Sequence, residues 1–227
     1  MRRSAIAGAA ACAALVVAAG PATAATSECK GLQVCVPVAG PWVLATAAGT
    51  EFQLDCPKRY IVGGLDAELS TRAIELGFVG GLGSPVNPGI TTTGAAVFLG
   101  RFVGARGVAS FRPHIGCVPA SGAGRRTPTA YTVFKPGKPT VRIVKQLTVL
   151  PGSTVRLAAR CPAHQRLVSA THAVAFYTEA PPSIADARSV HVRQVVRNGT
   201  VHVSARGDPE YDTRAIVQVD LVCAVAT

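Results

Sequence analysis

The chain has 227 residues and carries 23 Lys and Arg against 12 Asp and Glu, a formal net charge of +11 at pH 7. A chain of this length can bury a substantial hydrophobic core in one or two domains. The positive charge favours non-specific attraction to polyanions such as cell-wall polymers, phospholipid headgroups or nucleic acid. It specifies no binding site, and we expect no specific nucleic-acid binding.

Residues 1–24 have the pattern of a secretory signal peptide. Arg2 and Arg3 precede an apolar stretch at 5–19, and Ala22-Thr23-Ala24 fits a cleavage site. That stretch of about 15 residues is shorter than the ~20 that a membrane-spanning helix needs, and no later stretch is long and apolar enough. Removal of the signal leaves 21 basic and 12 acidic residues, a net charge of +9. We therefore expect a secreted bacterial protein, extracellular or associated with the cell envelope, with no transmembrane segment in the mature chain.

Residues 25–55 form the first segment of the expected mature chain. Cys29 and Cys35 are expected to close a small disulfide loop, because an even number of cysteines in an exported chain indicates a disulfide framework. A first strand is predicted around Trp42 to Leu44.

The spacing of the other four cysteines indicates an internal repeat. Cys56-Pro57 and Cys161-Pro162 are 105 residues apart, and Cys117 and Cys223 are 106 residues apart. Apolar and polar residues alternate before each of these cysteines, as in strands whose buried face carries the thiol. Six cysteines allow 15 connectivities, and the repeat favours one bridge in each half. The predicted disulfides are Cys29 to Cys35, Cys56 to Cys117 and Cys161 to Cys223.

The repeat also gives the domain organisation. We predict an all-β protein of two tandem β-sandwich-like repeats, each with one internal disulfide. Repeat 1 covers residues 56–119, a connector rich in Gly, Pro and basic residues covers 120–140, and repeat 2 covers 141–227. Pro151-Gly152 is the predicted turn between the first strands of repeat 2.

Two stretches of repeat 1 allow more than one interpretation. The sequence KRYIVGG at 58–64 is typical of the activated end of a chymotrypsin-like protease, but the chain lacks the accompanying histidine and GDSGG motifs. We interpret it as a strand that ends in a turn at Gly63-Gly64. Residues 65–76 have helical spacing, whereas the matching part of repeat 2 is typical of a strand, so both assignments remain open.

The cysteine pattern resembles known families of β domains. GSTVRLAARC and DTRAIVQVDLVCAV resemble strands B and F of immunoglobulin-like domains, but the Trp and Tyr that accompany those cysteines are missing and only four residues follow Cys223. The chain is more similar to exported bacterial β domains that begin with Cys-Pro, turn at Gly-Gly and end on a strand carrying the partner cysteine. That similarity covers about two-thirds of the chain and implies a fold without a settled activity.

The clearest local element is a hairpin at 190–206. Asn198-Gly199 is a strong signal for a two-residue turn with two positive φ angles. This turn places Val196 opposite Val201, Gln194 opposite Val203 and Val192 opposite Ala205 on the predicted core face. The candidate anion-binding face lies on the other side, with Val195 as its single apolar member. Its members are His191, Arg193, Arg197, His202 and Arg206.

The basic face is the strongest functional signal in the sequence. It could extend to basic residues at 125–145, namely Arg125, Arg126, Lys135, Lys138, Arg142 and Lys145. The competing interpretation is an ordinary solvated surface of a basic protein. No motif assigns a catalytic residue, a metal ligand or a cofactor. We therefore expect a secreted, non-enzymatic structural or binding module of the cell envelope that contacts a wall polymer or another extracellular polyanion. The alternatives are a secreted hydrolase without a recognisable motif and a protein binder that uses an exposed strand edge.

Overall fold

A computed structural model describes residues 26–79, 94–120, 140–210 and 212–225. The predicted signal peptide at 1–24 and most of the predicted connector lie outside the described residues. The described part contains thirteen strands and one short helix, which confirms the all-β class. We call residues 26–120 the first half and residues 140–225 the second half.

The first half has seven strands among its described residues, and the fourth and the seventh are the longest and pair with each other. Their bounds are β1 (Val36–Ala39), β2 (Trp42–Ala45), β3 (Thr50–Asp55), β4 (Tyr60–Leu69), β5 (Ile74–Val79), β6 (Ala95–Phe102) and β7 (Ala109–Pro119). The second half has six strands and one helix. Their bounds are β8 (Thr140–Val149), β9 (Thr154–Arg160), β10 (Gln165–Phe176), α1 (Ile184–Arg188), β11 (Val190–Arg197), β12 (Thr200–Gly207) and β13 (Ala215–Val225).

The strands form one large antiparallel sheet and two small ones. In the large sheet β7 pairs with β4 on one side and with β1 and β2 on the other, and the sheet continues through β10, β13 and β8. The join between the halves is the short pairing of β2 with β10, where Val43 lies opposite Ala175. The small sheets have the strand orders β3-β6-β5 and β9-β12-β11.

The two small sheets pack on opposite faces of the large sheet. On β10, Ala173 and Ala175 belong to the core that contains Phe52 and Phe98 of the first small sheet. Phe176 belongs instead to the core formed with the second small sheet. Side chains one residue apart on a strand point to opposite faces, so β10 is covered on both sides.

The three predicted disulfides are present. Cys29 bonds Cys35, Cys56 bonds Cys117, and Cys161 bonds Cys223. The last two have equivalent positions, because Cys56 follows β3 and Cys161 follows β9, while their partners lie within β7 and β13. Each of these bridges therefore joins a small sheet to the large sheet across a core.

One prediction for repeat 1 was wrong, and one assignment that the sequence left open is now decided. Gly63-Gly64 does not end a strand, because β4 continues through both residues with a bulge between Val62 and Gly64. Residues 65–76 do not form a helix, since Leu65–Leu69 complete β4 and the next strand begins at Ile74. Gly64 serves a different purpose: a Cβ there would overlap the backbone carbonyl of Glu28, so glycine lets the N-terminal disulfide loop pack against β4.

Candidate anion-binding site

The hairpin of β11 and β12 has the predicted turn and register. Asn198 and Gly199 have φ angles of 49° and 70°, as a two-residue turn of the primed type requires. Val196 lies opposite Val201, and the pairing continues in step to Val190 opposite Gly207. The turn therefore determines which side chains share a face.

The two faces of the hairpin have different surroundings. Val201, Val203 and Ala205 are buried against the large sheet. The side chains at the alternate positions point away from that core, and the structure places all five candidate residues there, each of them exposed. They are His191, Arg193, Arg197, His202 and Arg206.

Strand β9 adds two arginines that were not among the predicted site residues. It pairs with β12 so that Arg156 lies opposite Ser204 and Arg160 lies opposite Thr200. Val155, Leu157 and Ala159 pack toward the core, so the intervening residues share the outer face with the hairpin arginines. The alternation in TVRLAAR indicates that Arg156 and Arg160 are on one face, but only the pairing shows which strand lies beside them.

The outer face is ordered in rows that run across the three strands. Arg193, Ser204 and Arg156 form one row, and Arg197, Thr200 and Arg160 form another. We call these the Ser204 row and the Thr200 row. Between them lies a row of Val195, His202 and Ala158 without an arginine. Two rows, each with two guanidinium groups and a hydroxyl group, thus flank a less charged middle.

This face contains a groove of about 420 Å³. Arg156, Arg193 and Arg197 line its sides, while the middle strand contributes His202 and Ser204. Two of the five predicted residues are not among those that line the groove. They are His191 and Arg206, which lie opposite each other beyond the Ser204 row.

The arginines of the groove have no acidic partner among the described residues. The nearest carboxylate contact on this side belongs to His191, whose Nε2 lies 3.1 Å from an Asp208 carboxylate oxygen at the edge of the sheet. By contrast, the guanidinium of the exposed Arg101 lies 2.8 Å from a Glu75 carboxylate oxygen. The groove therefore has uncompensated positive charge.

The expected extension of the face to residues 125–145 is not supported by the residues that the structure describes. Arg142 points to the other face of the large sheet, where its Nη1 lies 2.7 Å from Glu51 and 3.2 Å from Asp220. Lys145 is exposed on β8 and does not line the groove. Arg125, Arg126, Lys135 and Lys138 lie outside the described residues.

The groove offers guanidinium, imidazole and hydroxyl groups as hydrogen-bonding partners. None of the described residues lining it is a carboxylate that could act as a nucleophile or general base. Within the described ranges no group of three or more His, Cys, Asp and Glu side chains is arranged to hold a metal ion. A search of the same residues found no helix of sufficient length and apolarity to cross a membrane.

Comparisons with known proteins returned no match, neither to a protein-family model nor to a curated protein nor to a solved structure.

Proposed function

We propose that this protein is a secreted, non-enzymatic binding module of the bacterial cell envelope, and that its arginine groove holds a polyanion such as a wall polymer. The observation that carries the proposal is the clustering of Arg156, Arg193 and Arg197 around one groove without acidic partners among the described residues. Like charges placed together on a surface repel one another, and a bound anion removes that repulsion.

The residue type supports an oxyanion ligand. Each basic residue that lines the groove is arginine or histidine, and lysine is not among them. The planar guanidinium group presents paired N–H donors that match two oxygens of a phosphate, sulfate or carboxylate group. Ser204 adds a hydroxyl donor to the lining. The groove therefore offers directed hydrogen bonds in addition to charge.

The first half provides an internal comparison. Its small sheet has the order β3-β6-β5, which corresponds to β9-β12-β11 in the second half. On that sheet Arg101 is paired with Glu75, and Glu51 binds Arg142. The same strand arrangement thus occurs without an array of unpaired arginines among its described residues. This contrast favours a specific role for the groove over an ordinary solvated surface.

We also propose that the halves arose by tandem duplication. Three matching features support this: the order of strands in the small sheets, the position of the cross-layer disulfides, and a register shift at the same place in each half. The shift lies between Val62 and Gly64 in β4 and between Leu167 and Ser169 in β10. Such bulges are specific features of a strand pair.

The proposal is tested by binding of the oxidised protein to isolated cell wall and to soluble polyanions over a salt series. In the groove variant, Arg156, Arg193 and Arg197 are all replaced by serine. In the matched control, the exposed residues Lys58, Arg72 and Arg106 are replaced by serine, so that both variants lose three charges.

Each exposed charge contact contributes about 0.5–1 kcal/mol, so the groove variant should bind roughly tenfold to a hundredfold more weakly than the unmodified protein. The control should keep most of the affinity, and binding of the unmodified protein should weaken as salt rises. Equal losses in the two variants would show that net charge alone drives association and would contradict the proposal.

A further inference from the structure

We propose that the groove binds a linear phosphodiester polymer lying along the strands, with one phosphate at the Ser204 row and another at the Thr200 row. This inference rests on the proposed function and goes further by assigning the chemical class of the ligand and its direction on the face. It is carried by the repetition of the same three groups in two rows, arginine, hydroxyl and arginine.

The strand geometry sets the size of each phosphate position. Neighbouring strands are about 4.8 Å apart, so the arginine backbones of one row are separated by about 10 Å, with the hydroxyl residue between them. The long arginine side chains can reach over the hydroxyl group from both sides. A group bound there meets donors from three directions. A tetrahedral phosphate diester can accept hydrogen bonds from several directions, whereas a carboxylate offers two oxygens in one plane.

The distance between the rows sets the direction of the ligand. Ser204 and Thr200 are four residues apart on β12, which corresponds to about 13 Å along the strand. A single small anion cannot contact both rows, but a polymer that runs parallel to β12 can. Thr200 and Arg160 do not line the groove itself; they line a second cavity of about 440 Å³.

The middle row fits the uncharged part of such a polymer. Val195 and Ala158 flank His202 there. The apolar side chains can contact the carbon atoms of a sugar or polyol that separates two phosphates, and the imidazole can hydrogen bond to its hydroxyl groups. A polymer whose phosphates are separated by neutral units therefore matches the order of groups on the face.

The test uses synthetic glycerol-phosphate oligomers with one to eight phosphates and measures affinity by titration calorimetry. Affinity should rise by at least about tenfold once the oligomer is long enough to reach both rows, because the second contact is then intramolecular. Polyglutamate with the same number of charges should bind more weakly.

Two double variants with equal charge separate the rows. Arg156→Ser with Arg193→Ser removes the cations of the Ser204 row and leaves the Thr200 row complete. This variant should still bind a single phosphate, but its affinity should no longer rise with oligomer length. Arg193→Ser with Arg197→Ser removes one arginine from each row. For this variant the affinity should still rise with oligomer length, but every oligomer should bind more weakly than it binds the unmodified protein.

The outcomes distinguish the two proposals. If polyanions bind but affinity follows total charge with no rise at a particular length, and the two double variants behave alike, the two-row arrangement is wrong while the proposed function stands. If phosphatidylglycerol vesicles bind better than the longest oligomer, the polymer assignment is wrong. If none of these ligands binds, and wall binding is absent as well, the proposed function itself fails.

Discussion

Replacement of Asp220 by asparagine is expected to stabilise the protein at neutral pH. The Asp220 side chain is 3% exposed and points toward β3, where one of its oxygens lies 3.2 Å from Arg142 Nη1. Its other oxygen, Oδ1, is buried without a hydrogen-bond partner. Arg142 is shared with Glu51 at 2.7 Å. The buried carboxylate has therefore lost its hydration, and its one ion-pair partner, Arg142, is shared with Glu51.

Burial raises the pKa of the Asp220 carboxyl from 3.8 to about 6, and the opposing attraction of Arg142 offsets only part of this rise. The negative charge of Glu51 adds to it. Since one pKa unit corresponds to about 1.4 kcal/mol, the difference amounts to on the order of 3 kcal/mol. Because the folded state binds this proton more tightly than the unfolded state does, the associated stability is fully present below pH 3.8 and is lost as pH rises through about 6.

Asparagine has nearly the same shape and cannot ionise, and Arg142 keeps Glu51 as its partner. The variant should therefore match the unmodified protein near pH 4 and exceed its free energy of unfolding by about 1–3 kcal/mol at pH 7.5. Urea denaturation of the oxidised proteins between pH 4 and 8 measures both values. Glu75→Gln removes a carboxylate from an exposed ion pair and is the control, with an expected change of about 0–1 kcal/mol. A lower stability of Asp220→Asn at pH 7.5 would refute the reasoning, because it would show that the Arg142 contact outweighs burial.

Three further substitutions test the contacts that hold the layers together. Gln218→Leu should cost about 2–4 kcal/mol in urea denaturation, because the Gln218 amide bonds both the N–H and the carbonyl of Gln53, at 2.6 and 3.0 Å. Gly116→Ala should displace the N-terminal disulfide loop and cost about 1–3 kcal/mol, since the new Cβ would overlap the Glu28 carbonyl; hydrogen exchange of the loop amides measures the displacement. Replacement of Cys161 and Cys223 together by alanine should cost about 2–5 kcal/mol in guanidinium denaturation.

Each of these predictions has a result that would contradict it. A Gln218→Leu protein of unchanged stability would mean that water replaces both hydrogen bonds. Loop amides that exchange at the same rate in Gly116→Ala would show that the loop does not depend on this close approach. A double cysteine variant with unchanged stability would mean that the core of the second half maintains the packing of its two sheets without the bridge.

The framework of the fold could be predicted because its signals are local or repeated. The cysteine spacing and the alternation before each cysteine indicated the disulfide pairing that the structure contains. The Asn198-Gly199 turn determined the hairpin register, because its backbone angles permit only a tight turn that matches the strand twist. In both cases a few residues carry the necessary geometric information.

Sequence patterns were insufficient where distant contacts decide the structure. The helical spacing at 65–76 was misleading, because pairing with β7 extends β4 through Leu69. Gly64 is required by the nearby Glu28 carbonyl rather than by a turn. Gln218 and Asp220 occupy the polar positions of an alternating strand, yet they are buried because β3 covers that face.

The candidate site was predicted in part for the same reason. The hairpin register brought Arg193 and Arg197 to one face together with His202. Arg156 and Arg160 join them only through the pairing of β9 with β12, which joins residues 40 to 52 positions apart in sequence. Sequence patterns alone therefore indicated the charged face but not the groove or its rows.

The most direct test of the arginine groove is an NMR titration of the ¹⁵N-labelled, oxidised protein with a phosphodiester polymer. The account predicts that the Nε–Hε signals of Arg156, Arg193 and Arg197 shift with increasing polymer, together with backbone amides of β9, β11 and β12. The signals of Arg72 and Arg106 in the first half should stay in place. Shifts centred on the first half, or spread evenly over all exposed arginines, would contradict the assignment of the groove as the binding site.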